Sequence, residues 1–464
     1  MEKSIINFQN DYNQYLEEQV KQTLGSIVGK NFRALQHAGG FNYMTNDGLR
    51  YNNLTIKCLD SLLTTNKDSG TLDLEEGGFS KLYHEVLTSA RYTHSQASQK
   101  SIQDAAAKYD GQVDSVIAEY NAAGLPELKA TKPAAAILEI YKNCAKEFKG
   151  DVTKNCNIIP DSLANFKRAL QTLNNVARES LQLVMNEGNK NAVLESIIEN
   201  ITAPDKDNGG IPIDLDKPPY YVGYENIPKS NTLIGSLGTS ENSLTIDVSG
   251  ESYDGNSMNV HVGSKITSPF HIPIFNVIGI EAKHESTFDM DKLKTSQTGF
   301  SAQITYSGIT EVPVHPVQSS PNGQSGWYDT EILKEIRGKS GHDEDGYKFI
   351  DNRFKVDKLF GGDLARLKRI IICKTPAVTF TLSNVDLDYA KSVFSTQNNV
   401  SVTLFGFIKL GQHENSYSTQ EIHYDESTRS VTLTFGEPNV SGTIPSAALT
   451  AFILGGEPDY PGKN

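Results

Sequence analysis

The stretch that decides the predicted fold is residues 79–123, FSKLYHEVLTSARYTHSQASQKSIQDAAAKYDGQVDSVIAEYNAA. It contains no proline and a single glycine, Gly111. Apolar or small side chains recur in it at spacings of four and three, with one phase break between Ala97 and Ile102. That spacing is typical of a helix that packs lengthwise against partners. The sequence therefore predicts one long, alanine-rich helix from Phe79 to Ala123.

The rest of the first 202 residues shows the same helical period. Further helices are predicted over residues 11–36, 161–188 and 193–201, with Gly188 ending the second of these. Several helices of this length favour an elongated α-helical bundle over residues 1–202. In that bundle the long helix is either an ordinary core member or a rod that can move.

A change of pattern follows the helical part. Residues 203–219 contain four prolines, a glycine pair and no helical period, which predicts a linker. Beyond it the apolar period becomes two, which indicates strands with one buried face. Residues 220–464 are therefore predicted to form an antiparallel β-sandwich with short helical insertions at 327–337 and 386–395. The predicted fold class is α+β multidomain, an N-terminal helical bundle followed by this sandwich.

Composition excludes some classes of protein. The formal charge of −13 argues against a basic nucleic-acid-binding surface. The N-terminus lacks an apolar secretion core, and no apolar run reaches the roughly 18 residues of a spanning helix. We therefore predict a cytoplasmic protein, or one released by a signal-independent route. Four cysteines are too few for a disulfide scaffold, so buried thiols are expected, with a Cys144–Cys156 pair as the alternative.

Two apolar segments are candidates for contact with a membrane or a ligand. The run 270–282 is the most apolar of the chain and is as long as one membrane-crossing strand. The alternative is a strand buried between sheets. The sole tryptophan begins a helical insertion, where it either contacts a sugar ring or lipid interface or anchors the insertion. The candidate contact residues are Phe270, Ile272, Ile274, Phe275, Trp327 and Tyr328.

Evidence for catalysis in the sequence is weak. The acidic turn at Asp343, Glu344 and Asp345 is a weak candidate for a hard-cation site, and a solvated turn is the alternative. The chain lacks the HExxH, GxSxG and phosphate-loop patterns. No catalytic residue, resident metal or cofactor is therefore predicted, and the protein is not expected to be an enzyme.

A helical bundle joined by a proline-rich linker to a β module is similar in general plan to helix-based pore-forming and insecticidal toxins. This resemblance implies a non-enzymatic protein that recognises a membrane or glycan surface through its β half. Its helical effector half would then assemble or insert. One alternative is an intracellular structural or scaffold protein that forms homo-oligomers, and a second is a hydrolase with a site between the halves.

Overall fold

A computed structural model shows a mixed α/β protein with 45% helix and 27% strand. The structure describes residues 2–25, 28–29, 31–42, 53–65, 70–214, 217–227, 230–252, 257–263, 265–273, 278–282, 290–394, 400–404, 408–410, 418–436 and 450–462.

The α-helices of the described residues range from a single turn to 39 residues. They are α1 Glu2–Thr23, α2 Asn53–Leu59, α3 Gly78–Thr88, α4 Gln96–Ala122, α5 Pro133–Glu147, α6 Ala164–Thr202, α7 Ser230–Thr239, α8 Met290–Leu293, α9 Thr330–Lys339, α10 Val356–Lys358 and α11 Leu387–Val393.

The strands come from both ends of the chain. They are β1 Arg33–Asn42, β2 Leu62–Thr65, β3 Leu72–Glu75, β4 Ala90–Thr93, β5 Ile211–Asp214, β6 Lys217–Tyr221, β7 Tyr224–Glu225, β8 Leu244–Ser252, β9 Ser257–Val262, β10 Lys265–Pro273, β11 Ile278–Ala282, β12 Gly299–Tyr306, β13 Thr310–Pro313, β14 His315–Pro316, β15 Gly346–Phe349, β16 Arg366–Cys373, β17 Ala377–Ser383, β18 Val400–Leu404, β19 Ile408–Leu410, β20 Ser418–Asp425, β21 Ser430–Gly436 and β22 Thr450–Asp459.

Five strands close into a small barrel in the order β16-β2-β3-β1-β22, with β13 added on the outer side of β16. Strands β1, β2 and β3 precede residue 76, whereas β16 and β22 follow residue 365. The barrel therefore cannot form until the two ends of the chain meet. Its interior is continuous with a hydrophobic core that also includes residues of α3, the end of α6 and α9. We call this whole cluster the barrel core.

A seven-stranded antiparallel sheet has the order β10-β9-β8-β12-β17-β21-β20. The predicted β8–β9 hairpin and the predicted strands at β12, β17 and β21 are confirmed. Along β8 the side chains alternate between buried and exposed. The core of this sheet is completed by α1, whose Phe8, Tyr12 and Leu16 are buried in it. The Tyr12 and Tyr306 hydroxyls are 2.8 Å apart there.

The predicted fold class, an N-terminal helical bundle followed by a β-sandwich, is wrong. The first helix packs on the seven-stranded sheet, and the segment predicted as its end, near Arg33, is the start of β1 in the barrel. Helical and pleated periods identify which face of an element is buried but carry no information about its partner. The division into residues 1–202, a linker at 203–219 and residues 220–464 stays a prediction.

The long helix predicted from Phe79 to Ala123 is interrupted. The structure has α3, then strand β4, then α4. Strand β4 pairs antiparallel with β15, with Thr93 opposite Gly346 and Ala90 opposite Phe349. The Ser95 side chain accepts a hydrogen bond from the Ser98 amide at 3.2 Å, so Ser95 is the N-cap of α4. Ser95 was therefore a local signal for the start of a new helix, but the continuous helical period on both sides of it favoured a single helix.

The opposite correction applies to α6, which runs for 39 residues without ending at Gly188. A glycine inside a helix costs only about 1 kcal/mol relative to alanine. Leu194 and Ile197, beyond the glycine, are fully buried in the barrel core, which stabilises the continuation. Burial of these two side chains outweighs the weak stop signal.

Helices α4, α5 and α6 pack together and form what we call the helical arm. Its core contains Val116 and Tyr120 of α4, Ile140 of α5, and Phe166 and Leu170 of α6. The rings of Tyr120 and Phe166 meet edge to face at 5.5 Å. Burial of these aromatic and aliphatic side chains holds the three helices together.

All four cysteines are buried and no disulfide joins any of them, as the composition predicted. Cys144 and Cys156 both lie in the core of the helical arm. Burial raises the pKa of the Cys144 thiol to about 12, so this side chain stays a neutral, apolar core residue at physiological pH.

Candidate functional site

Trp327 and Tyr328, predicted to contact a ligand or membrane, lie inside the barrel core and are 1% and 2% exposed. The Trp327 indole N–H donates to the Gly223 carbonyl at 2.7 Å. Its ring lies 6.1 Å from that of Phe79 and 5.8 Å from that of Tyr83. Trp327 thus anchors the chain before α9, which was the alternative interpretation, and Tyr328 is buried beside it with the two ring centroids 5.9 Å apart.

The other predicted contact residues belong to the segment around β10. Phe270 and Ile272 are on this strand, where they pair with Val260 and Met258 of β9. Ile274 and Phe275 lie outside the described residues. A contact between this segment and a membrane or ligand therefore stays a prediction.

The acidic turn caps the first helix of the arm. Asp345 accepts hydrogen bonds from the Ser95 amide at 2.6 Å and from the Ser98 hydroxyl at 2.9 Å. Asp343 accepts one from the Gln96 amide at 2.7 Å. Carboxylates at a helix N-terminus accept hydrogen bonds from amides that have no partner within the helix, and their negative charge interacts favourably with the positive end of the helix dipole. Two of the three weak metal candidates, Asp343 and Asp345, are thereby engaged by the helix.

Among the described residues, no group of three or more His, Cys, Asp and Glu side chains is placed to hold a metal ion. The third weak candidate, Glu344, is exposed in the acidic turn between Asp343 and Asp345. A hard-cation site at the acidic turn therefore stays a weak candidate, and no ligand cluster among the described residues supports it.

The junction between the arm and the barrel core is polar. The buried His94 ring places Nδ1 3.3 Å from Asp345 Oδ2 and Nε2 3.7 Å from Glu187 Oε2 on α6. Nearby, the Asn191 amide both donates to the Tyr92 carbonyl at 3.1 Å and accepts from the Tyr92 amide at 2.9 Å. These contacts tie α6 to β4 and to the start of α4, so they fix how the arm leaves the core.

The cap makes a testable contribution to the arm. Partial burial raises the pKa of the Asp345 carboxyl, but hydrogen bonds from Ser95, Ser98 and His94 outweigh it and lower the pKa to about 2. A lowered pKa means that this contribution is present above the ordinary value of 3.8 and is lost as the pH falls toward 2. We expect Asp345→Ala to cost about 1 kcal/mol at neutral pH.

Hydrogen exchange of the Ser95 amide, which donates to Asp345, measures this effect locally, and urea unfolding measures it globally. Asp343→Ala is the matched control, because it removes one exposed hydrogen bond from the same helix end. Equal amide protection in Asp345→Ala and the unmodified protein would show that the carboxylate does not hold the helix.

In the part of the arm nearest the barrel core, no third helix of the described residues packs on α4 and α6. The arm core ends near Val113 on α4 and Leu173 on α6, where the last contacts with α5 and the following loop occur. None of the described side chains in residues 96–108 or 175–190 is buried. We call these two helical segments the uncovered span.

An apolar row crosses the uncovered span. On α6 the side chains of Leu181, Val184 and Met185 are 55%, 50% and 59% exposed. They continue an apolar stripe that begins earlier in α6 with Leu170 and Leu173, which are buried in the arm core. Leu173 and Leu181 are eight residues apart and the other neighbours one, three or four, so at about 100° per residue all five fall within roughly 120° of the helix. The helical period of the sequence places Leu170, Leu173 and Val184 on one face, but it did not single out Leu181 or Met185 and could not tell that α5 covers only part of this face.

In comparisons with known proteins, no protein-family model, curated protein or solved structure matches the chain. None of the described helices combines the length and the apolar character needed to cross a membrane. Function is therefore inferred from the uncovered span and its exposed apolar row.

Proposed function

We propose that the protein is a non-enzymatic assembly protein that pairs with a second copy of itself through the uncovered span. The observation that carries this proposal is the exposed row of Leu181, Val184 and Met185 on α6. Scattered exposed apolar side chains are ordinary, but three on one face of one helix are typical of an interaction surface. Two copies of the uncovered span would complete a four-helix section.

The charges of the uncovered span favour a second copy as the occupant. The whole chain carries −13, so two copies repel each other over most of their surfaces. The uncovered span instead has four basic and three acidic residues, a balance of +1 that imposes little repulsion. They are Lys100, Lys108, Arg178 and Lys190 against Asp104, Glu179 and Glu187.

The geometry also suits symmetric pairing. In a two-fold dimer the same patch contacts itself, so an antiparallel arrangement places α6 of one copy against α6 of the other. The apolar row would then be covered on both copies by the same three side chains. Each of the three side chains is already about half covered, so burying the rest stabilises the pair by roughly half of the 1.5–3 kcal/mol that full burial gives.

The test is the mass of the protein in solution. We expect light scattering after gel filtration to give a dimer at about 10 µM or above. Leu181→Gln combined with Met185→Gln should give a monomer, because it removes the apolar surface but not the helix. Leu138→Gln is the matched control: Leu138 is 62% exposed on α5, outside the uncovered span, so this variant should remain dimeric.

A monomer of the unmodified protein at about 100 µM would contradict the proposal, as would a double variant that dimerises as well as the control. Circular dichroism and the melting temperature of each variant show whether the arm is still folded. A double variant that has lost helix content is replaced by Val184→Thr, which changes shape little and should weaken the dimer by about tenfold.

The wider prediction of a pore-forming or toxin-like protein remains a proposal. Its sequence argument used a separate bundle and sandwich, and that architecture is wrong. The same apolar row offers a surface to lipid, so leakage of dye from vesicles is the corresponding experiment. Leakage that the double variant abolishes, from a protein that stays monomeric without vesicles, would favour membrane insertion over the dimer.

A further inference from the structure

Two segments of the chain join the helical arm to the barrel core, and they lie side by side. Strand β4 leads into α4 through residues 94–95, and α6 returns to the core through residues 186–191. The Asn191 side chain ties the two together by bonding the amide and the carbonyl of Tyr92 at 2.9 and 3.1 Å. Two adjacent connections of this kind define an axis about which one body can turn against the other.

The returning segment is the weakest part of α6. Residues 186–191 read Asn-Glu-Gly-Asn-Lys-Asn. Glycine is the weakest helix former after proline, and asparagine ranks in the lower half of the scale. None of the described side chains of α6 between Leu173 and Leu194 is buried, so tertiary packing adds little to the helix there. Because most helical stability in proteins comes from such packing, this segment should open more readily than either end of α6.

The entering segment changes from strand to helix within two residues. Ser95 has extended backbone angles, φ −66° and ψ 162°, and α4 begins at the next residue. Asp345, which belongs to the turn before β15, accepts from the Ser95 amide at 2.6 Å and from the Ser98 hydroxyl at 2.9 Å. The start of α4 is therefore held at one point, and the rest of the helix can turn about it.

A cavity of about 600 Å³ lies beside the returning segment. Asn186, Asn189 and Lys190 line it from α6, and α9 with the turn before it lines the opposite wall. Asn191 is two residues after Asn189, so at about 100° per residue the two side chains point to nearly opposite sides of the helix. The segment is thus bonded to β4 on one side and borders the cavity on the other. Because protein side chains do not fill this space, α6 can approach α9 without compressing a packed core.

We propose that residues 94–95 and 186–191 form a hinge, about which the arm swings as one body relative to the barrel core. Residues 186–191 bend, residues 94–95 turn, and the cavity narrows or widens with the angle of the arm. The two bodies keep their own cores, which share no buried residue.

The hinge does not depend on the pairing of two copies. The exposed apolar row ends at Met185, and the bending segment begins at the next residue. A hinge at the base of the uncovered span allows the barrel cores of two paired copies to take different angles while their arms stay in contact.

Distances between two spin labels on the full chain measure the swing. Lys142→Cys on α5 and Lys334→Cys on α9 place one label on each body, and both lysines are exposed. The four native cysteines are buried, so the introduced thiols are labelled selectively. An excess of unlabelled protein removes the distances between copies. We expect a distribution wider than that of Lys100→Cys with Lys142→Cys, a pair of labels that lies within the arm.

Gly188→Ala should stiffen the hinge. A Cβ atom added at Gly188 meets nothing within 4 Å, so the variant raises helix propensity without a clash. We expect hydrogen exchange of the amides of residues 186–191 to slow about fivefold, and the distribution between arm and core to narrow. Gly111→Ala is the matched control: Gly111 is inside α4 with equally open surroundings, away from both segments, so this variant should change neither measurement.

Two results would overturn the hinge. One is a distribution for labels at residues 142 and 334 that is as narrow as the distribution for labels at residues 100 and 142. The other is a wide distribution between arm and core that Gly188→Ala leaves as wide as Gly111→Ala does. Neither result bears on the dimer, because the dimer is tested by the mass of the protein in solution.

Discussion

Replacing Trp327 by alanine is expected to lower the free energy of unfolding by about 3–5 kcal/mol, the largest effect of any single substitution considered for this protein. The indole is fully buried among Phe79, Tyr83, Tyr224 and Tyr328. Its neighbours come from α3, β7 and the segment before α9, so the cavity left by alanine has walls that cannot collapse together. Such a cavity adds to the lost transfer energy of the ring.

Urea unfolding followed by circular dichroism is the appropriate measurement, because the variant has lost the only tryptophan of the chain and with it that fluorescence signal. Trp327→Phe is the matched variant. It keeps most of the buried ring but loses the hydrogen bond to the Gly223 carbonyl, so about 1–2 kcal/mol is expected. An alanine variant within 1 kcal/mol of the unmodified protein would show that the aromatic cluster does not stabilise the barrel core.

A second large effect is expected from the pH dependence of stability at Asp60. Its carboxylate is buried and accepts hydrogen bonds from the Ser80 amide at 3.0 Å and the Tyr224 hydroxyl at 2.8 Å. The Ser80 hydroxyl also donates to it. Burial raises the pKa of Asp60 from 3.8 to about 6, although the hydrogen bonds from Ser80 and Tyr224 act in the opposite direction. Burial dominates because the charged form loses its water.

The sign of the effect follows from the raised pKa. The folded state holds the Asp60 proton more tightly than the unfolded chain does, so its stabilising contribution is complete below pH 4 and is lost as the pH rises through 6. The loss is about 3 kcal/mol in all, and roughly half of it falls between pH 5 and pH 8.

Asp60→Asn should remove this dependence, since the amide keeps the shape and stays neutral. We expect the variant to be more stable than the unmodified protein at pH 8 and to approach it at pH 5. Urea unfolding at pH 5, 6.5 and 8 measures the difference, with Asp73→Asn on the exposed side of β3 as the control. Parallel curves for Asp60→Asn and the unmodified protein would contradict an uncharged Asp60 in the folded state.

Several elements could be predicted because their signals are local. The alternation along β8 and its turn into β9 is confirmed by the ladder between the two strands. The helix predicted at 327–337 exists as α9, and it starts at Thr330 because Asp329 caps it by accepting from two backbone amides. In each case the spacing of apolar side chains and one capping or turn residue are enough, because all the interacting groups are close in sequence.

The candidate site was predictable only in part. The apolar stripe of α6 is visible in the sequence, but its exposure at Leu181 depends on where α5 ends against it. The cavity combines α6 with α9, more than 120 residues apart. No local pattern brings Asn189 and Glu335 to one space, so sequence reasoning missed both. The acidic turn was noticed, but its role as the cap of α4 depends on a contact across about 250 residues.

By itself the sequence determined which face of many elements is apolar, since the period of apolar side chains is a property of a single helix or strand. It also determined that the cysteines are buried. Only the tertiary structure decided the partners. Residues 90–93 leave the helical period because β15 supplies them with a ladder, and α1 covers a sheet rather than a bundle. The physical reason is that hydrophobic burial has no direction, so an apolar face accepts a sheet as readily as a helix.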